Sequence, residues 1–320
     1  MSYTTGVLLL AIVTALAASL PGVFVVLRRE SMLVDAIAHA VFPGIVVGFY
    51  FTHDLDSPLL VAGAALAGLA VVLGSDWLTR TRLVTGDAPQ GLLFPALFSG
   101  GVILVTSDFA HIHLDVHAVL VGDLNLAAFK HVFVNGQSIG PEYLYVMLGV
   151  LAINAIAIAL LLPRLKVATF DSEFARVAGL RTGMLGTVFM FLVAVTVTAA
   201  FNAAGAILIL ALVVIPAAVA ALLTKRLGSM ILVTLLVAGL GAWAGFEMAY
   251  SLNVATSAGM SVFYGVIFAI AFGSVQVRNW WRRRRLHGQL GQEETAQAAG
   301  AAGAGAAGAG AAVVARAARA

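Results

Sequence analysis

There is no cysteine among the 320 residues. That excludes a disulfide frame and any thiolate-held zinc or iron–sulfur site, and leaves oxygen and nitrogen as the only donors for a metal. Charge is scarce too: Asp, Glu, Lys and Arg make up 10% of the chain, against 61% hydrophobic residues. A mean hydropathy of +1.02 lies outside what a soluble domain of this length carries. No G-x-x-x-x-G-K-[ST] occurs, which removes nucleotide hydrolysis by the P-loop route. No H-E-x-x-H occurs, and no nucleophile, base and orienting group cluster, so the chain does not read as an enzyme.

What is there suits hydrocarbon. Apolar stretches long enough to cross about 30 Å of lipid fall at residues 6–27, 35–52, 58–78, 89–106, 142–163, 184–201, 205–223, 229–249 and 258–277. The expectation is an all-α, polytopic transmembrane helix bundle of eight or nine spans in the cytoplasmic membrane. The first stretch has no basic region ahead of it and is followed by Arg28 and Arg29, so it reads as a retained helix rather than a signal peptide.

Loops after odd-numbered spans hold nearly all the cations: Arg28, Arg29, Arg80, Arg82, Arg164, Lys166, Arg176, Arg181, Lys225, Arg226, Arg278 and Arg282 to Arg285. The alternate loops hold only Lys130. The positive-inside rule then places the N-terminus outside and the C-terminus in the cytoplasm. Asp54, Asp56, Asp108, Asp115, Asp123 and Glu142 fall on the outer side, where they attract cations. Residues 1–281 read as the transmembrane domain. Residues 282–320 read as a disordered Ala/Gly-rich cytoplasmic tail, too poor in large side chains to build a core, with Arg282 to Arg285 anchoring it to anionic lipid.

Asp35 and His39 stand four apart at the start of an apolar run, which on a helix puts carboxylate and imidazole on one face. Asp at mid-span costs roughly 3 kcal/mol on insertion scales, so such groups face a partner or a water-filled path. Taken singly, Asp35 also reads as the N-cap of the second span and His39 as a buried, hydrogen-bonded histidine. Together they form a borderline-hard donor pair suited to Mn(II), Zn(II) or Fe(II), and two copies across a two-fold axis would supply two oxygens and two nitrogens. Pro43 and Pro216 lie inside spans, where each frees a backbone carbonyl and permits a kink. Glu247 reads as a further isolated buried acid near the outer end of the eighth span.

Two connections are too long for simple turns. Residues 107–141 carry His111, His113, Asp115 and His117, a second concentration of donors that suits an outer metal relay or a solvated loop; short interfacial helices are expected there. In residues 164–183, Asp171 or Ser172 caps a short helix ending at Gly179, with Phe170, Phe174, Val177 and Ala178 on one side. An exposed apolar helix of this kind meets another protein, or lies flat on the bilayer.

Ser31 to Gly48 reads SMLVDAIAHAVFPGIVVG. This resembles the Gly-Asp-Ala-x-x-His-Ala-x-x-Pro-Gly signature of the membrane permease subunits of manganese/zinc/iron ABC importers. HLDVHAVLVGDL at 113–124, FDSEFARVAGL at 170–180 and ILALVVIPAAVAALLTKRL at 209–227 resemble further segments of that family, in its order. Two departures stand out: Val34 replaces the Gly before the Asp, and Gly86-Asp87-Ala-Pro-Gln-Gly91 replaces an Asp-x-x-Ile-Gly segment.

The resemblance covers about residues 6–277 and implies an ABC importer permease fold. It implies Asp35 and His39 in a translocation path, and Mn2+, Zn2+ or Fe2+ as cargo, with no permanently bound cofactor. A separate ATP-binding cassette ATPase would dock on Phe170, Asp171, Glu173, Phe174 and Arg176. The remaining implied partners are an extracytoplasmic metal-binding protein, a second permease protomer of the same chain, and membrane lipid, with no nucleic acid. A stand-alone secondary carrier or channel for divalent cations is the alternative that the acidic outer face alone would allow; the spans beyond Asp35 and His39 offer no acid or histidine relay for it.

Overall fold

The computed structural model describes residues 2–54, 57–108, 124–134 and 137–281. The elements are α1 (Tyr3–Leu27), α2 (Ser31–Thr52), α3 (Pro58–Arg80), α4 (Ala88–Asp108), α5 (Leu124–Ala127), β1 (His131–Val134), β2 (Gln137–Pro141), α6 (Glu142–Phe170), α7 (Ser172–Val177), α8 (Thr182–Leu223), α9 (Leu227–Ser251) and α10 (Thr256–Trp281). Eight of the helices are long and apolar enough to cross a membrane. The expected all-α bundle is therefore present, and the tail from residue 282 lies outside the described residues.

Helix α8 has 42 residues, too many for one crossing, and it is broken at Gly205, whose φ of 74° and ψ of 169° lie where a side chain would be strained. A straight helix would hold Phe189 and Val213 about 36 Å apart. Both instead meet one turn of α1: the Phe189 ring packs edge-on against Phe24 at 5.9 Å, and the Val213 backbone abuts Gly22. The chain therefore folds back at Gly205, and the two arms of α8 correspond to the sixth and seventh apolar stretches.

Helices α1, α2 and α8 are the most enclosed, and their Val, Ala, Leu and Phe side chains form the central cluster of the unit spanning residues 1–269. Pro21 has no N–H to give the Ala17 carbonyl one turn back. Asn154 of α6, fully buried, supplies the missing donor: its amide reaches the Ala17 carbonyl at 2.9 Å and the Thr196 hydroxyl at 2.9 Å, and Thr196 in turn donates to the Leu192 carbonyl at 2.8 Å. One amide thus ties α1, α6 and α8 together. Between α2 and α3 the contact is backbone on backbone: a methyl group at Gly44 would stand 2.5 Å from the Gly63 carbonyl oxygen. Small residues allow this approach in a membrane, where dispersion rather than water drives helix association.

In the connection at residues 107–141, where short helices are expected, residues 109–123 lie outside the described residues. Only the single turn α5 is helical among its described residues; an antiparallel pair follows, with His131 opposite Pro141 and Val132 opposite Gly140. The sequence Val132-Phe133-Val134-Asn135-Gly136 contains a strong short-range hairpin signal, β-branched residues before Asn-Gly. Tyr3 donates to the Asn125 carbonyl at 2.7 Å, and the Asn125 amide to the Thr256 hydroxyl at 3.0 Å, fastening this segment to α1 and to the start of α10. In the second unit, residues 270–281 continue the α10 helix to Trp280 and Trp281, whose rings meet edge-on at 5.4 Å and suit a membrane–water interface.

Replacing Asn154 with Leu should lower the thermal midpoint of the detergent-solubilised protein, at a cost of about 1–2 kcal/mol, chiefly for the orphaned Ala17 carbonyl. Thr14, buried with an unpartnered hydroxyl, is the control: Thr14→Val should leave the midpoint unchanged or raise it.

Candidate metal centre

Helix α2 begins at Ser31, with Glu30 at its N-cap position. Asp35 is therefore not the cap of the span but lies in its second turn, where its carboxylate must find a partner other than a free helix N–H. That partner is His39: Oδ1 and Nε2 are 3.5 Å apart, and both side chains are about 30% exposed in a helix that is otherwise mostly buried. Two ligands each held about 2.1 Å from a tetrahedral ion stand about 3.4 Å apart. The observed gap is thus too long for a good hydrogen bond and close to the spacing that a bridging ion requires.

Asp35 opens onto a cleft of about 450 Å³, walled by Ser31 and Met32 of α2, by Ile207, Leu210, Ala211, Val214 and Ile215 of the second α8 arm, and by Ser261 of α10. Among the described residues, the carboxylate is the one charged group on this wall. Among the described residues no three of His, Asp and Glu come close enough to hold an ion. The pair alone offers two donors, so any further ligands to an ion here would have to come from water, from undescribed residues or from another chain.

Sequence reading missed what surrounds the imidazole. Phe94 of α4 lies 5.0 Å from the His39 ring at 35°, and Phe98 meets it edge-on at 6.3 Å; Phe98 also packs on Phe42 at 5.4 Å. The signal was present as an i, i+4 aromatic pair in the fourth apolar stretch. His111, His113, Asp115 and His117 lie outside the described residues. Glu247, expected to be buried, is exposed on α9.

Below α2, at the turn between α1 and α2, Arg28 pairs with Glu30 at 3.0 Å while its guanidinium sits 5.6 Å over the Phe189 ring. One Glu30 oxygen is buried without a partner. Burial pushes the Glu30 carboxyl above its ordinary value near 4.5, and Arg28 offsets only part of that.

The connection after α6 keeps its expected cap and face. The Asp171 carboxylate accepts from the Phe174 N–H at 2.8 Å, and the turn closes at Gly179, φ 79°. Its start is later than expected, because α6 runs on to Phe170 instead of ending near residue 163. Phe170 (61%), Phe174 (59%) and Val177 (88%) are exposed, flanked by Arg176 and Glu173 at 3.9 Å.

Against known proteins, the profile of the ABC 3 transport family matches residues 1–274. The chain is 35% identical to the manganese transport system membrane protein MntD of Bacillus subtilis over 272 residues, 85% of this chain and 92% of that one. It is 37% identical to the zinc transport system membrane protein TroD of Treponema pallidum over 269 residues, 84% of this chain and 73% of that one. In fold it resembles PsaBC from Streptococcus pneumoniae, solved in complex with a Fab, with a TM-score of 0.69 and 24% identity over 85% of this chain and 91% of that one.

The raised carboxyl at Glu30 has a definite sign. The unfolded chain ionises it from about pH 4.5 while the folded protein resists, so the stability present below that pH is lost as pH rises through the folded value. Glu30→Gln should therefore raise the thermal midpoint at pH 7.5, and the gap from wild type should close as the melt is repeated toward pH 4.5.

Proposed function

Because the chain belongs to the ABC 3 transport family, we propose that it is the permease subunit of an ABC importer that moves a divalent transition metal, manganese or zinc, across the cytoplasmic membrane. The observation that carries this reading is the Asp35–His39 pair, spaced for an ion, with Asp35 opening onto a cleft in an otherwise apolar bundle. An oxygen and an imidazole nitrogen suit Mn(II), Zn(II) and Fe(II) alike; the names of the two relatives favour the first two. Two donors in one chain support a second, identical protomer, so that facing pairs complete a shell weak enough to release its ion.

Energy comes from a separate ATPase. The exposed Phe170 and Phe174, with the capped turn and the charges of Asp171, Glu173 and Arg176 around them, form a knob suited to a groove on that partner. Closure of two ATPases would push this knob, tilt α6 and α8, and switch the cleft between its outward and inward openings. An extracytoplasmic metal-binding protein delivers the ion to the acidic outer face, and His111, His113, Asp115 and His117 form a relay there. The N-terminus lies outside and the C-terminus in the cytoplasm, as the arginine distribution favours. A stand-alone carrier would have no use for an exposed aromatic knob on its cytoplasmic side.

Asp35→Ala and His39→Ala should each cut uptake of radiolabelled manganese or zinc by cells by more than about tenfold at equal protein in the membrane; wild-type uptake in both variants would remove the path. Phe174→Asp should leave the protein in the membrane but abolish co-purification of the ATPase, and unchanged recovery of that subunit would place the docking surface elsewhere.

A further inference from the structure

A ligating imidazole almost always donates its second ring N–H to a carboxylate or carbonyl, which fixes the ring and raises its basicity. His39 is held differently. Among the described residues its polar contact is Asp35 alone, through Nε2. The rest of the ring is met by carbon: the Phe94 ring at 5.0 Å and the edge-on Phe98 ring at 6.3 Å. Neither offers a lone pair.

Three features bring α4 to this position. Phe94, Phe98, Gly101 and Val105 recur at i, i+4, i+7 and i+11, one face of the helix. Gly101 sits so near Pro43 that a methyl group there would stand 2.7 Å from the proline Cβ. Phe42, Val46 and Val105 then form a small cluster of their own, with Phe98 packed against it. Close approach at Gly101 and this cluster set the aromatic pair against the ring one turn below Pro43.

We propose that Phe94 and Phe98 are positioning residues that orient the His39 imidazole by aromatic packing in place of a hydrogen bond, so that the ligand geometry is ordered with no polar group behind the ring. Quadrupolar contact between rings favours particular tilts, so it restrains the imidazole with Nε2 toward Asp35. It adds no negative charge to the ring. An importer needs that combination: a preformed ligand geometry lowers the ion concentration required for capture, and a ligand without a carboxylate behind it lets the ion leave on the other side.

This inference rests on His39 being an ion ligand, and the test separates the two. Initial rates of manganese and zinc uptake are measured against ion concentration in cells carrying the complete transporter, normalised to permease in the membrane. Phe94→Leu and Phe98→Leu remove a ring while keeping apolar bulk; each should raise KM about tenfold with Vmax little changed. Phe94→Tyr, which keeps the ring, should return KM to the wild-type value. Wild-type KM in both Leu variants, or a fall in Vmax at constant KM, would overturn the positioning role. If His39→Ala abolishes uptake while the Leu variants keep the wild-type KM, only this role is lost; if His39→Ala transports normally, the site itself is misassigned.

Discussion

A carboxylate and an imidazole on one turn of a helix that must otherwise tolerate hydrocarbon set the terms for the rest of this structure. Asp35 and His39 would be costly if they faced lipid. Asp35 avoids that by facing a cleft whose other walls are the second arm of α8 and the start of α10, and His39 by turning to Asp35 and to the rings of α4. The wall exists because α8 turns back at Gly205 and lays its second arm beside α2. The opposite side of the imidazole is closed by α4, through Phe94 and Phe98. Each of these elements is built from residues with no chemistry of their own, yet together they decide whether the donor pair is exposed to an ion or to lipid.

The scaffold meets a second constraint, the satisfaction of backbone polar groups where no water is at hand. Proline lies inside α1, α2, α4, α6 and α8, at Pro21, Pro43, Pro95, Pro163 and Pro216, and each removes one helical hydrogen bond. At Pro21 the solution is explicit: the Asn154 amide replaces the lost N–H and also reaches Thr196. The same residue therefore restores a lost hydrogen bond and joins three helices.

Much of this was legible in the sequence. Apolar length located the spans, and the break at Gly205 explains why two stretches appear as one long helix. The four-residue spacing put Asp35 and His39 on one face, and Asp171 with Gly179 marked both ends of the short helix that presents Phe174. What escaped notice depended on partners far away in the chain. Phe94 and Phe98 are unremarkable apolar residues until α4 is placed against α2. The partner of the Ala17 carbonyl is 137 residues distant. Leu and Val content also favoured short helices in residues 107–141, where His131–Val134 and Gln137–Pro141 pair as strands on either side of Asn135-Gly136. The expected buried acid at Glu247 was wrong because hydropathy locates a span but does not say which of its faces is enclosed.

The central claim is that one oxygen and one nitrogen from α2, repeated in a second copy, hold the ion in transit. X-ray absorption at the zinc edge of the purified, zinc-loaded transporter reads that ligand set directly. The account predicts two imidazole nitrogens per ion among oxygen donors in the wild type and none in His39→Ala; a ligand shell that His39→Ala leaves unchanged would contradict it.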